Sequence, residues 1–518
     1  MRRVATFIVA LGLTIIAIEG STASRPGAGP HGVAVTRLTA RVTLGGTPVK
    51  AVRFGGYTID VPANWPVYRL DSNPTTCVRF DRNAVYLGRP GPDQVCPAHL
   101  VGRAATISLQ VPPAAGVPAL GEPVLGGPAV GRPAVGTGQS PSALPAVGDL
   151  PRVGGPVHSD PQGHQLYATV QHPGLSISAT YSGDASPMLK IIQSVARAST
   201  RSPAAGQPAA HPARQPAAHP ARQPAAHPAA HPAGQPAAHP ARQTAVARES
   251  AVTAAISDVQ LGDIRAGGTT RARLTAGAGR ANSAAARVVG KGFDTCTAPS
   301  LAVMQAWRHA FSYAGIYIGG AEAGCGYGNL SADWIRSVTA LGWGLIPTYV
   351  GPQAPCNTQF AVRIDRGRAL AQGQAAAIDA VQHAAALGLG RGTPIYYDIE
   401  SFDTGNTTCR FTVLSFLDGW TRRIHASGYV SGVYSSAATG AEALGLATTI
   451  YGRPLAKPDS LWFAFWDGQS NVIGTPYLDA SWWPGYHRIK QYLGPHDRRV
   501  NGFTLNIDSD LVRGPVYR

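Results

Sequence analysis

Residues 393–401 read TPIYYDIES, an apolar run of β-branched and aromatic residues that has the composition of a buried strand. The run nevertheless carries Asp398 and Glu400. Positions i and i+2 of a strand share one face, so both carboxylates are expected to point the same way. Burying two like charges together is costly, which implies that something uses them.

Around this strand, residues 287–518 alternate between short apolar runs and helical patterns. Strands are expected at RVVGKGFDTC, GIYIGG, GLIPTYVG, TPIYYDIES, VSGVYSS, LWFAFWDG, HRIKQYLG and FTLNIDSDLV. Helices are expected at SADWIRSVTALG, ALAQGQAAAIDAVQHAAALG and FTVLSFLDGWTRRIHASG, each closing on a Gly suited to a helix C-terminus. Eight strands with interleaved helices predict an α/β fold, a (β/α)8 TIM barrel whose helices are weak or missing near the end. An open doubly wound sheet is disfavoured, because no Gly-rich phosphate loop follows the first strand.

The rest of the chain has a different character. Residues 203–243 repeat QPAAHPAR with a period of eight, inside a low-complexity linker expected over 199–286. A Pro/Ala tract of this kind has no apolar face to pack and is expected to be disordered. Residues 40–198 read as a small β-rich (α+β) domain, with strands at GGYTIDVPANWPVYRL and HQLYATVQHPGLSISATYSG, a closing helix at SPMLKIIQSVARAS, and a Pro/Gly/Val insert between them. No catalytic constellation is legible there, so a binding or spacing role is the default expectation. Residues 1–23, with Arg2 and Arg3 before an apolar stretch and small residues at 21–23, have the pattern of a signal peptide, and the paired arginines suit twin-arginine export.

The formal charge is +16, but the basic residues are scattered and nearly all Arg, with five Lys and no nucleic-acid-binding motif. An exported protein of this charge is expected to meet an anionic envelope surface rather than nucleic acid, and to be a monomer. Six cysteines in an exported chain suggest three disulfides. Cys77 and Cys96 are isolated in the N-terminal half and are expected to pair. Cys296, Cys325, Cys356 and Cys409 allow three connectivities by count. Their places after successive strands favour Cys296 with Cys325 and Cys356 with Cys409.

Barrel chemistry sits at the C-terminal ends of strands. Polar residues collect at those places: Asp294 after strand one, Asp398 and Glu400 after strand four, Trp466 and Asp467 after strand six, Gln491 and Tyr492 after strand seven, Asp508 and Asp510 after strand eight. A single Asp there would be read as a helix cap or an ion-pair partner, whereas five equivalent positions form a constellation. Of the aromatics able to stack on a sugar face (Tyr349, Tyr397, Tyr434, Trp466 and Tyr492), Trp466 and Tyr492 are the candidates retained. A metal-dependent hydrolase is disfavoured and no cofactor is expected, since His309, His383, His425, His487 and His496 show no ligand spacing.

The succession GFD (292–294), YYDIE (396–400), IKQY (489–492) and NIDSD (506–510) resembles the family-25 glycoside hydrolases, muramidase-type lysozymes that cut peptidoglycan. More closely, residues 288–518 resemble the glycoside-hydrolase-like TIM-barrel domain of exported actinobacterial proteins, a relative of those lysozymes without assigned function. The resemblance implies Glu400 as general acid, Asp398 and Asp294 as supporting carboxylates, Asp508 as the last-strand aspartate facing the cleft, and Gln491 and Tyr492 as groove-lining residues. The four barrel cysteines and the insertions GGAEAGCGYGNLS and GPQAPCNTQFAVRIDRG depart from the lysozyme pattern and suit the relative. The expected substrate is a cell-wall glycan, peptidoglycan or a related polysaccharide, cleaved outside the cytoplasm. The competing expectation is a barrel that binds or remodels wall glycan without turnover. Physically, glycoside cleavage needs one protonated carboxyl and one anionic group, and neighbouring carboxylates raise each other's proton affinity.

Overall fold

The structure is a computed structural model that describes residues 43–44, 47–111, 157–170, 174–197 and 286–518. The expected signal peptide, the Pro/Gly/Val insert and nearly all of the expected linker lie outside these residues. Among the described residues, no helix is long and apolar enough to cross a membrane.

Eight strands close a barrel: β1 (Gly290–Asp294), β2 (Tyr313–Gly319), β3 (Gly344–Tyr349), β4 (Pro394–Asp398), β5 (Val430–Ser436), β6 (Ser460–Ala464), β7 (Arg488–Val500) and β8 (Phe503–Arg513). Helices follow the first five strands: α1 (Leu301–Trp307), α2 (Ala332–Ala340), α3 (Ala369–Ala386), α4 (Thr407–Ala426) and α5 (Glu442–Leu446), the last entered through a π-helical turn at Ala437–Ala441. Side chains cap α1, α2 and α4 at their N-termini: Ser300, Ser331 and Asn406 accept from the amides of Val303, Trp334 and Cys409. Gly342, Gly388 and Gly428, just past α2, α3 and α4, all take positive φ, as the sequence predicts.

The full (β/α)8 pattern is not reached. No helix joins β6 to β7, and β8 runs antiparallel to both β7 and β1. The reason is local: Asn501 (φ 46°) and Gly502 (φ 87°) link β7 directly to β8 as a two-residue hairpin turn, which leaves no chain for a crossover. This corrects the expectation that Asp508 and Asp510 end the last strand at the barrel mouth. In the antiparallel register Asp508 sits opposite Asp294, and Asp510 sits opposite Gly292, one residue pair deeper.

Strand alternation divides the core in two. Tyr313, Ile346, Tyr396, Tyr434, Trp462, Ile489 and Val512 pack together inside the barrel. Phe293, Ile316, Tyr349, Ile395, Tyr397 and Val433 face the helices and join Trp307, Trp343, Phe416 and Trp420. Tyr349 and Tyr397 are therefore core residues, with Trp420 against both rings. Tyr396 and Asp398 share the inward face of β4, with the aromatic sealing the barrel beneath the acid.

The N-terminal region is β-rich, as expected. A six-stranded mixed sheet runs in the order Val67–Arg69, Ala84–Leu87, Thr106–Gln110, Leu175–Thr180, Gln165–Val170, His158–Asp160. A smaller antiparallel sheet holds Thr47–Phe54 and Tyr57–Pro62, and the helix Ser186–Gln193 buries Met188, Ile191 and Ile192 in the shared core. This module is not a separate body. Its segment 78–103 lies along the loop after β2: the amide of Gly102 donates to the carbonyl of Glu322, Gly324 to Leu100, Phe80 to Gly324, and Gly326 to Val78. Arg103, 4% exposed, donates to the carbonyls of Ala321 and Gly320.

Three disulfides form with the expected pairing: Cys77–Cys96, Cys296–Cys325 and Cys356–Cys409. Cys96, Cys296 and Cys325 pack into one buried cluster, so two of the bridges brace the seam between module and barrel.

Candidate active site

At the barrel mouth the inward faces of β1, β4, β7 and β8 meet. Asp294, Asp398, Asp508 and Asp510 are each at most 1% exposed. Gln491 knits the cluster together. Its amide nitrogen donates to Asp294 (3.0 Å) and Asp508 (3.3 Å), while its carbonyl accepts from Tyr434 (3.0 Å) and Trp466 (2.9 Å). Asp510 accepts from the indole of Trp462 at 3.0 Å. Glu400, just beyond β4, takes its backbone position from Gln353, whose side-chain oxygen accepts from the Glu400 amide at 2.8 Å.

The group that meets Glu400 comes from outside the barrel. His99, from the N-terminal module, places Nε2 2.9 Å from Glu400 Oε1 and Nδ1 2.7 Å from the Tyr317 hydroxyl. Its ring lies edge-on to Tyr317 and tilted against Tyr434. Residues 40–198, in which no catalytic constellation is legible, thus supply a side chain to the barrel mouth. No spacing or motif marks His99, which lies 301 positions from Glu400, and only the docking of the two modules reveals it.

The electrostatics follow from burial and from this one imidazole. Burial alone pushes every carboxyl of the cluster up. In Glu400 the charge and hydrogen bond of His99 outweigh burial and hold it below its ordinary value. Asp398 makes no hydrogen bond to the imidazole: burial, then the charge of Glu400, push it well above the carboxylate range against the lowering charge of His99. Asp508 is pushed up to about 8 by burial and then by Asp294, and Asp510 lies well above its ordinary range for the same reasons. For His99, burial pulls the pKa down, but Glu400 above all raises it to about 10. With the module docked, the proton of the Asp398–Glu400 pair thus rests on Asp398. Neighbouring charge, rather than position along the strand, decides the sharing.

The remaining candidates divide. Trp466 joins the cluster through Gln491 and is 60% exposed, an open aromatic face beside buried acids. Tyr492 is half-buried at a bulge where the β7–β8 register shifts. Asp467 is drawn elsewhere, with both oxygens 2.8 Å from the buried Lys490 ammonium. Two groupings have the composition of a cation site: His99 with Asp398 and Glu400, and His99 with Asp294 and Asp508, each with ligand atoms within 4.8 Å of one another. Asp160, Asp379 and His383 form a third between the module and α3.

Buried carboxyls on the inner wall of a barrel, with one acid pair split in proton affinity, are what glycoside chemistry requires. Comparison with known families agrees. Residues 305–512 match the model of the Rv2525c-like, glycoside hydrolase-like domain. The matched span runs from the end of α1 through most of β8, and leaves out β1 with Asp294. No curated protein matches the chain. Among solved structures, an uncharacterized B. stearothermophilus protein is 21% identical and covers 43% of this chain and 95% of its own (TM-score 0.29). The catalytic domain of endolysin ply40 from bacteriophage P40 of Listeria monocytogenes is 11% identical and covers 44% and 94% (TM-score 0.29). The Clostridium perfringens spore cortex lytic enzyme SleM is 13% identical and covers 39% and 60% (TM-score 0.28).

Proposed function

We propose that this protein is an exported hydrolase of peptidoglycan or a related wall glycan, and that the glycoside hydrolase-like domain does the chemistry. The observation that carries the reading is the split pair. Asp398 and Glu400 adjoin on one wall of the mouth, with Asp294 and Asp508 opposite, and the pair is split: Asp398 holds its proton while Glu400 is held low beside His99. Glu400, at the more exposed end of the pair, is the group that delivers the proton to the leaving oxygen. Asp398 lies deeper and holds that proton in reserve. Asp294 and Asp508 face the sugar from the opposite wall. Trp466 offers a stacking face, while Gln491, Tyr492 and Asp510 line or support the groove. Residues 1–23 serve as the export signal, and the three disulfides suit an oxidising compartment.

The test is mass spectrometry of muropeptides released from purified wall by the full chain and by Glu400→Gln. Release by the parent and its loss in the variant support the reading. Equal release by both would overturn the role of the carboxylate pair. A second reading, a wall-glycan-binding barrel without turnover, is favoured by one observation: the Glu400 carboxylate is already ion-paired. Binding without any release of fragments would select it.

A further inference from the structure

We propose that His99 is a positioning residue of the barrel site: carried in by the N-terminal module, it holds Glu400 and keeps a sugar ring from reaching that carboxyl until the imidazole is displaced. The inference rests on the hydrolase reading for its consequence but not for its geometry. His99 is fixed at both ring nitrogens, by Glu400 at 2.9 Å and Tyr317 at 2.7 Å, and its ring occupies the space between Tyr317 and Tyr434. Two aromatic walls beside a general acid are where a pyranose would stack, so the imidazole holds the sugar's seat. The backbone carrying it is anchored on both sides. The Ala98 amide donates to Asn506 at 2.8 Å, Leu100 accepts from Gly324, and Val101 bridges to Ala323. Displacement therefore means moving the strap between Cys96 and Arg103, not merely turning a side chain.

The charge consequence is definite in sign. The titratable groups facing His99 are Asp294 from β1, Tyr317 from β2, Asp398 and Glu400 from β4 and its extension, Tyr434 from β5 and Asp508 from β8. Against these acids, charged His99 keeps Glu400 ionised, and an ionised carboxylate has no proton to donate. Removing the cation lets Glu400 take up a proton at higher pH. The latch thus covers the acid and disarms it at once.

Three measurements on the full chain test this. In the first, the His99 imidazole is followed by NMR from about pH 5 to about pH 10. The ring should stay charged through neutrality in the parent and titrate near its ordinary value in Glu400→Gln. An ordinary titration in the parent would overturn the ion pair. In the second, binding of soluble muropeptide is compared between parent and His99→Ala, with thermal unfolding showing that both are folded. Affinity should rise at least about threefold, since removing a plug raises the competent fraction. Unchanged or weaker binding would overturn the latch. In the third, His99→Gln should move the upper limb of the pH profile for fragment release up by about one unit, up to about tenfold in rate above the limb. A fall in rate throughout would instead make His99 part of the catalytic machinery and overturn the proposal. If titration and binding behave as expected but neither parent nor variant releases fragments, the latch stands and the hydrolase reading fails.

Discussion

At the residue scale the chemistry turns on how protons are distributed over a few acids. Glu400→Gln keeps the shape and removes the transferable proton, so release of wall fragments should fall by at least about a hundredfold while glycan binding survives. Asp398→Asn keeps a neutral group where a protonated acid already sits, so it should reduce release less and shift the acidic limb of the pH profile. Asp508 gives a stability prediction with the opposite sign to an ordinary carboxylate. Its folded pKa, about 8, lies above its unfolded value, so across the interval between them the native state binds more protons than the unfolded chain. Stability then falls as pH rises through that window. Asp508→Asn mimics the protonated acid and should lose part of this dependence, with a higher melting temperature than the parent at pH near 8 and little difference near 4. Thermal unfolding at the two pH values checks it. A parent that gains stability between them through this residue would contradict the placement of its proton.

At the scale of elements, the hairpin that closes the barrel sets which face of β8 meets the site. Asn501 and Gly502 both need positive φ, and a β-branched residue at the second position is strained there. Gly502→Val should cost on the order of 1–3 kcal/mol, read from denaturant unfolding. The same change made at exposed Gly390, whose φ is not in the left-handed region and whose added Cβ meets nothing within 4 Å, should cost less. The bridge Cys356–Cys409 ties the loop after β3 to the start of α4. Replacing both cysteines by Ser should cost roughly 2–4 kcal/mol. Non-reducing peptide mapping should recover the 356–409 and 296–325 linked peptides, and a 325–356 link would contradict the pairing.

At the scale of the whole molecule, the module and the barrel share a seam made of backbone hydrogen bonds, buried Arg103 and two disulfides. The repeat at 203–243 has no apolar periodicity with which to join that seam. Deleting it should leave the melting temperature unchanged, and a fall of several degrees would mean that the repeat docks.

The strand pattern, the eight-stranded barrel, the disulfide pairs and the placement of Asp294, Asp398 and Glu400 at strand ends are legible in the chain, because period-two alternation and turn chemistry are local properties. The Asn501–Gly502 turn abolishes the last crossover and sets Asp510 beneath Asp508. Asp467 shares the strand-end position of its neighbours, but Lys490 from the adjacent strand pairs with it. The state of the acid pair is a property of the assembled fold. Proton affinity depends on charges within a few ångströms in space, whatever their distance along the chain. The charge that matters here, His99, comes from a different module and reaches Glu400 only once the two have docked.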